Sequence, residues 1–159
     1  MQYTIREASQ SDSPEILALT IDGIREWAAP VMSRVQLWMD EVCTMEYVKK
    51  RSLNHEYHVF VAESAGEIIG TIYLNTTNKN NPYFGGLYCK YKKQGIGTAL
   101  MNHMFSYARS MECENVECEV YADNPPSMLL MEKLGAKHTS SLNYDDVPYL
   151  VYTFTLNSN

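Results

Sequence analysis

The chain has 159 residues, 45% hydrophobic and 20% charged, with 13 Lys and Arg against 19 Asp and Glu for a net charge of −6. That length suits one domain with its own core, and the balance excludes wholesale disorder. The acidic charge excludes a general nucleic-acid binder, which needs a basic face, and leaves room for a cationic partner.

Residues 3–8, YTIREA, alternate as a first strand. Ser13 then reads as a helix cap with Pro14 at the first helical position, and Leu17, Ile21 and Ile24 mark one face. Pro30 ends this helix in the apolar link WAAPVMSR. A second helix is predicted from about Val35 to Lys50, on the spacing of Val35, Trp38, Val42 and Met45. YHVFVAE (57–63) and IIGTIYL (68–74) form a hairpin through the turn SAGE. A polar loop (75–82) leads to YFGGLYC (83–89), a strand whose Gly85 and Gly86 signal a bulge or a close backbone approach. Ile96, Leu100, Met104, Tyr107, Ala108 and Met111 make the apolar stripe of the next helix. VECEVYA (116–122) alternates strictly. DNPPSMLLMEKLG is a short helix capped by Asp123 or Asn124 and stopped by Gly135, and two strands close the chain. The economical packing is a single mixed sheet with helices on its faces.

The opening MQYTIREASQ lacks the order of a signal peptide, and no apolar run approaches the roughly 18 residues of a membrane span. Neither nucleic acid nor membrane is therefore expected as a partner. Cys43, Cys89, Cys113 and Cys118 show no CxxC pair, and His55, His58, His103 and His138 no ligand spacing. The reading is reduced thiols, a cytoplasmic protein and no metal.

The junction KYKKQGIGTAL (90–100) carries the chemistry. A strand that turns through glycines into a helix leaves free N–H groups at the positive end of the helix dipole, a natural anion site. Gly95 and Gly97 let a phosphate approach the backbone, Lys92 and Lys93 add charge, and Thr98 adds a hydroxyl. The bland alternative is a tight turn with solvated lysines. A Walker loop and a dinucleotide fingerprint both fail on spacing.

QGIGTAL, followed about 30 residues later by Asn124-x-x-Ser127-x-x-Leu130-Met131-x-Lys133-Leu134-Gly135, resembles the GNAT superfamily of acetyl-CoA-dependent N-acetyltransferases. The likeness runs from residue 3 to about 156. It implies one α/β domain over residues 1–159, with a mostly antiparallel sheet of about seven strands and helices on both faces. It implies acetyl-CoA as co-substrate. Lys92, Lys93, Gln94, Gly95, Ile96, Gly97 and Thr98 would hold its pyrophosphate. Leu87, Tyr88 and Cys89 would pair with the pantetheine arm in a slot beside the 116–121 strand. A backbone N–H near Leu87–Cys89 would polarise the thioester. Asn124, Ser127 and Met131 would flank the arm.

The sequence departs from the family pattern in four places. Lys92 stands where Arg or Gln is usual, the piece between Cys89 and Lys92 is about two residues short, Met131 replaces a common tyrosine acid, and Ala136 replaces a common Phe.

Period-two geometry puts Glu117, Glu119 and Tyr121 on one face of their strand. The superfamily's ribosomal-protein N-terminal acetyltransferases have a glutamate base at the place of Glu119, so the resemblance implies that role. A water relay to a more distant carboxylate or histidine stays open, as does a plain solvated face. With Met131 unable to donate, Tyr88, Tyr121, Tyr144 or solvent remain as acids. The resemblance places the acceptor, a small amine or a protein amino group, between the N-terminal helices and the last hairpin. There Trp27, Trp38, Tyr144 and Tyr149 could wall a pocket. Asp145 and Asp146 could draw in an ammonium or simply form the hairpin turn. The alternative function is an acyl-CoA-binding module without turnover. A homodimer is left open.

Overall fold

A computed structural model describes residues 1–156. The chain runs β1 (Thr4–Glu7), α1 (Ser13–Ala28), α2 (Met32–Val42), α3 (Met45–Leu53), β2 (Tyr57–Ser64), β3 (Glu67–Asn75), β4 (Tyr83–Cys89), α4 (Ile96–Ser110), β5 (Asn115–Tyr121), α5 (Pro125–Lys133), β6 (Lys137–Tyr144) and β7 (Val147–Thr155). The strands form one seven-stranded sheet in the order β1-β2-β3-β4-β5-β7-β6. Every neighbouring pair is antiparallel except β4 and β5. The expected mixed, mostly antiparallel sheet is therefore what forms.

Helices cover both faces, as the alternation of the strands requires. On β2, Phe60 and Ala62 pack with Leu100, Met101, Met104 and Phe105 of α4. Val59 and Val61 pack with Ile16 and Leu19 of α1 and Val48 of α3. A third cluster joins Ile24 and Ala28 of α1 to Val35 and Met39 of α2, Tyr121 and Val147. The edge strand β6 is exposed along its whole length, and its pairing with β7 is interrupted at Thr139.

Three local expectations change. The helix predicted over 35–50 is two helices, because Thr44 starts a new one: its side chain accepts the Tyr47 N–H at 3.1 Å. Its buried residues in α2 are Val35 and Met39, whereas Trp38 lies on the exposed side. Ser13 is not the cap of α1. It is the first helical residue, its hydroxyl buried and without a hydrogen-bond partner in the described structure, and Asp12 takes the cap position.

Asp12 closes a short 3-10 turn by accepting from the Ser9 N–H at 2.7 Å. Arg6 grips the same carboxylate with two N–H groups at 2.8 and 2.9 Å and reaches Glu63 at 2.7 Å. These bonds, Arg6 first, hold the buried Asp12 at about 2 against an ordinary value of 3.8. A carboxylate depressed on folding stabilises the fold above its unfolded value and loses that effect as pH falls through its folded one. Asp12→Ala is expected to cost about 2 kcal/mol in urea denaturation at pH 7. The difference from the parent should shrink between about pH 4 and pH 2, and an equal midpoint for both proteins at pH 7 would exclude this role.

Candidate functional site

β4 and β5 run parallel but pair only at Tyr83 and Glu117, with the Glu117 N–H donating to the Pro82 carbonyl at 3.0 Å. Beyond that pair no ladder joins them. β4 remains bonded to β3 and β5 to β7, so each presents one free backbone edge to the gap. Backbone groups inside a fold need partners. An extended chain bearing amides would satisfy both edges.

A bulge aims the side chains of β4. Opposite β3, Thr71 pairs with Tyr88 and Tyr73 with Gly85, so Gly86 and Leu87 together face Ile72. Gly86 has φ of 62°. The extra residue shifts the phase of the strand by one. Phe84 faces the α4 side, and so do Leu87 and Cys89, while Tyr88 turns to the α1 side. Gly85 serves differently: a Cβ there would sit 2.6 Å from the Tyr73 hydroxyl oxygen. The two glycines thus supply both the bulge and the close approach read from the sequence.

Tyr88 lies against Gly23 of α1, where any Cβ would fall 1.9 Å from its ring. Burial pushes its phenol up to about 12. Sequence reasoning missed Gly23, although a glycine inside a predicted helix was the available signal.

Past β4, Lys93 adopts φ of 57° and Gly95 φ of 76° as N-cap of α4. No side chain caps this end. The first intrahelical bond is Ala99 N–H to the Gly95 carbonyl at 3.0 Å, which leaves the N–H groups of Ile96, Gly97 and Thr98 without helical partners. Ile96 is buried in the core, so only its backbone is offered to the loop. Gln94 and Lys93 are exposed. Lys92 pairs with Glu26 of α1 at 2.9 Å across exposed surface. A Cβ on Gly97 would make only ordinary contacts, the nearest Cys89 Sγ and Leu130 Cδ2 at 3.8 Å. The chain itself does not demand glycine there, whereas a phosphate cradle would. The donor set of free amides and nearby lysines fits a pyrophosphate.

On the far side of the gap, Asn124 stands at the start of α5 and its side-chain amide donates to the Ser127 hydroxyl at 3.0 Å. Met131 is buried in the core, 3% exposed, with its sulfur 3.5 Å from the Cys118 thiol. It belongs to the α4 side of β5. Cys118 and Cys89 are both driven well above the ordinary thiol range by burial, Cys89 to about 11, so neither is a poised nucleophile.

The α1 side of β5 holds Glu117, Glu119 and Tyr121. Glu119 is exposed and accepts the Tyr144 hydroxyl at 3.1 Å. Burial and the charge of Glu119 hold the Tyr144 phenol above its usual range, so it stays protonated as the donor. Asn81 donates to Glu117 at 3.0 Å. Beside them Trp27 meets Tyr121, Tyr149 and Trp38 with ring centroids at 5.6, 6.2 and 6.3 Å, and Tyr144 meets Tyr149 at 5.5 Å. Burial first, then Glu119, raises Tyr149 to about 12. Asp145 and Asp146 form the tip of the β6–β7 hairpin with φ of 51° and 62°, and Arg34 of α2 donates to the Asp146 carbonyl at 3.1 Å. The turn geometry accounts for both aspartates.

A family profile described as the acetyltransferase (GNAT) family matches residues 21–136. The chain belongs to this family. It is accordingly an acyltransferase, and the family uses acetyl-CoA as donor. Solved structures share the fold. The PaiA N-acetyltransferase from Thermoplasma acidophilum in complex with coenzyme A matches with a TM-score of 0.83 at 17% identity, over 97% of this chain and 100% of that one. The ribosomal-protein-S18-alanine N-acetyltransferase from Escherichia coli gives 0.75 at 15%, over 99% and 96%. Aminoglycoside 6'-acetyltransferase type Ii gives 0.73 at 19%, over 98% and 99%. Among the described residues no helix is long and apolar enough to cross a membrane.

The two loop glycines differ in what the fold asks of them. Gly95→Ala should lower stability by about 1 kcal/mol because its backbone is left-handed. Gly97→Ala should leave the midpoint unchanged or slightly raised. Chemical denaturation of both variants checks this, and equal losses would contradict it.

Proposed function

We propose that the chain moves an acetyl group from acetyl-CoA directly to a primary amine of a small molecule or protein. The observation that carries this reading is the single-pair contact of β4 and β5. It opens a gap with free backbone edges, an uncapped glycine helix start at one end and Glu119 on the acceptor face. The family match supplies the acetyl donor.

In this reading the N–H groups of Gly97 and Thr98, with Lys92 and Lys93, hold the pyrophosphate. The β4 edge from Leu87 to Cys89 aligns the pantetheine arm, and the bulge turns a backbone N–H toward the thioester oxygen. Asn124 and Ser127 flank the arm. Acetyl-CoA supplies an activated acyl carbon. Glu119, oriented by the Tyr144 hydroxyl, takes a proton from the amine as the C–N bond forms. The C–S bond breaks and the leaving thiolate takes a proton from solvent. An ordinary thiol near ~8.5 needs no dedicated acid to leave, and Met131, buried against Cys118, has no proton to give. Trp27, Trp38 and Tyr144 wall the acceptor side; Asp145 stays at the turn. The four free thiols support a reducing, cytoplasmic setting.

Glu119→Gln keeps shape and removes basicity. Its rate of CoA release with an accepted amine should fall roughly 10²-fold while acetyl-CoA affinity by calorimetry holds. The acidic limb of the pH–rate profile should vanish with it. Tyr144→Phe should give a smaller loss at equal affinity. Full activity with an unchanged profile in Glu119→Gln would move the base elsewhere, first to Glu117.

A further inference from the structure

The aromatic wall beside Glu119 is unlike the other aromatic clusters of the molecule. It draws Trp27 from α1, Trp38 from α2, Tyr121 from β5, Tyr144 from β6 and Tyr149 from β7 to one place. The interplanar angles lie between 42° and 76°, so the rings tilt against one another and none is stacked flat. Tyr121 is buried beneath, whereas Trp38 and Tyr144 are 44% and 51% exposed. Trp38 and Tyr144 thus leave part of the wall accessible to a ligand.

Among the described residues, no Lys or Arg lies over a ring of this wall. Arg51 lies over Tyr47, Tyr57 and Tyr73, and Lys90 over Tyr91. Arg34, on α2, turns to the Asp146 carbonyl instead. Glu119 adds a carboxylate within hydrogen-bond reach of one ring. Aromatic faces beside a carboxylate attract a positive charge.

That preference sets a chemical condition. An amine attacks a thioester only through its neutral form. A surface that favours the cation raises the basicity of whatever nitrogen it holds and so opposes attack by that nitrogen. The wall helps the reaction only if the charge it holds is a different one from the nitrogen that reacts.

We infer that the acceptor is an aliphatic amine carrying a second, non-reacting positive group, and that Trp27, Tyr149, Tyr144 and Trp38 hold that group while the reacting nitrogen meets Glu119. This rests on the acetyltransferase reading above. The step balances as stated there: the amine nitrogen gains the acetyl group, its proton passes to Glu119, and CoA leaves as the thiol after protonation by solvent. The second cation is unchanged throughout. Acceptors with a carboxylate in its place are repelled by Glu119 and Glu117.

The test uses the full chain with acetyl-CoA and four acceptors, read by CoA release. They are 4-aminobutyl-trimethylammonium, its neutral isostere 5,5-dimethylhexylamine, 4-aminobutanoate, and a neutral tetrapeptide amide with a free N-terminus. The trimethylammonium compound should show kcat/KM about tenfold above the isostere, with 4-aminobutanoate lowest. In Trp27→Leu that preference should collapse to within about twofold. Trp38→Leu, on the exposed side of α2, provides the same reading if Trp27→Leu unfolds. Equal turnover of cation and isostere, turnover of the peptide alone, or full preference in both variants would overturn this inference and leave the acetyltransferase reading standing. CoA release from none of the four would overturn both.

Discussion

The gap between β4 and β5 is the constraint on which the site depends. Two parallel neighbours normally hold each other by a continuous ladder. Here one pair at Tyr83 and Glu117 joins them, and the rest of each strand is held only from its other side. The sheet stays single because β3 and β7 carry those outer ladders. The opening is thus built into the pairing of the whole sheet and does not rest on a flexible loop. The bulge at Gly86 and Leu87 then decides which side chains line which face. Were the same residues paired without a bulge, plain alternation from Phe84 would turn Tyr88 toward α4, and its contact with Gly23 of α1 would be lost.

The helix start and the carboxylate occupy opposite sides of this opening for a simple reason. β4 hands over to α4, which must pack on the face where Phe84, Leu87 and Cys89 point. β5 alternates Val116, Cys118 and Val120 toward that same helix layer, so Glu117, Glu119 and Tyr121 fall on the other face beside α1 and α2. Strand periodicity alone thereby puts the uncapped start of α4 and the Glu119 carboxylate on different faces of the sheet. Met131 follows the core side of this division, its sulfur packed against the Cys118 thiol.

Much of this was legible in the sequence because it is local. The bulge at Gly86, the helix start after Gly95, the alternation of 116–121 and the stop at Gly135 each act within a few residues, and each stands where expected. The misreadings are of two kinds. Ser13 stands before Pro14 like a cap, but the chain already turns from Gln10 with Asp12 closing on Ser9, so Ser13 falls inside helical backbone. Thr44 lies inside an apolar repeat that continues through it, so periodicity concealed its cap. The pairing of Tyr88 with Gly23 and the convergence of five aromatic residues from five elements depend on which helix crosses which strand. No spacing within one segment reports that. Glu119 lay between the two cases, since its face was readable but its bond to Tyr144 was not.

The edge strand β6 has a consequence for solution behaviour. All eight of its residues are exposed, and its outer rim offers unpaired backbone groups to any passing strand. Lys137, His138, Thr139, Ser140 and Ser141 make that rim polar, and the irregularity at Thr139 breaks the straight run of backbone groups that a second sheet would need. The strand therefore disfavours edge-to-edge pairing through its irregular shape and polar rim.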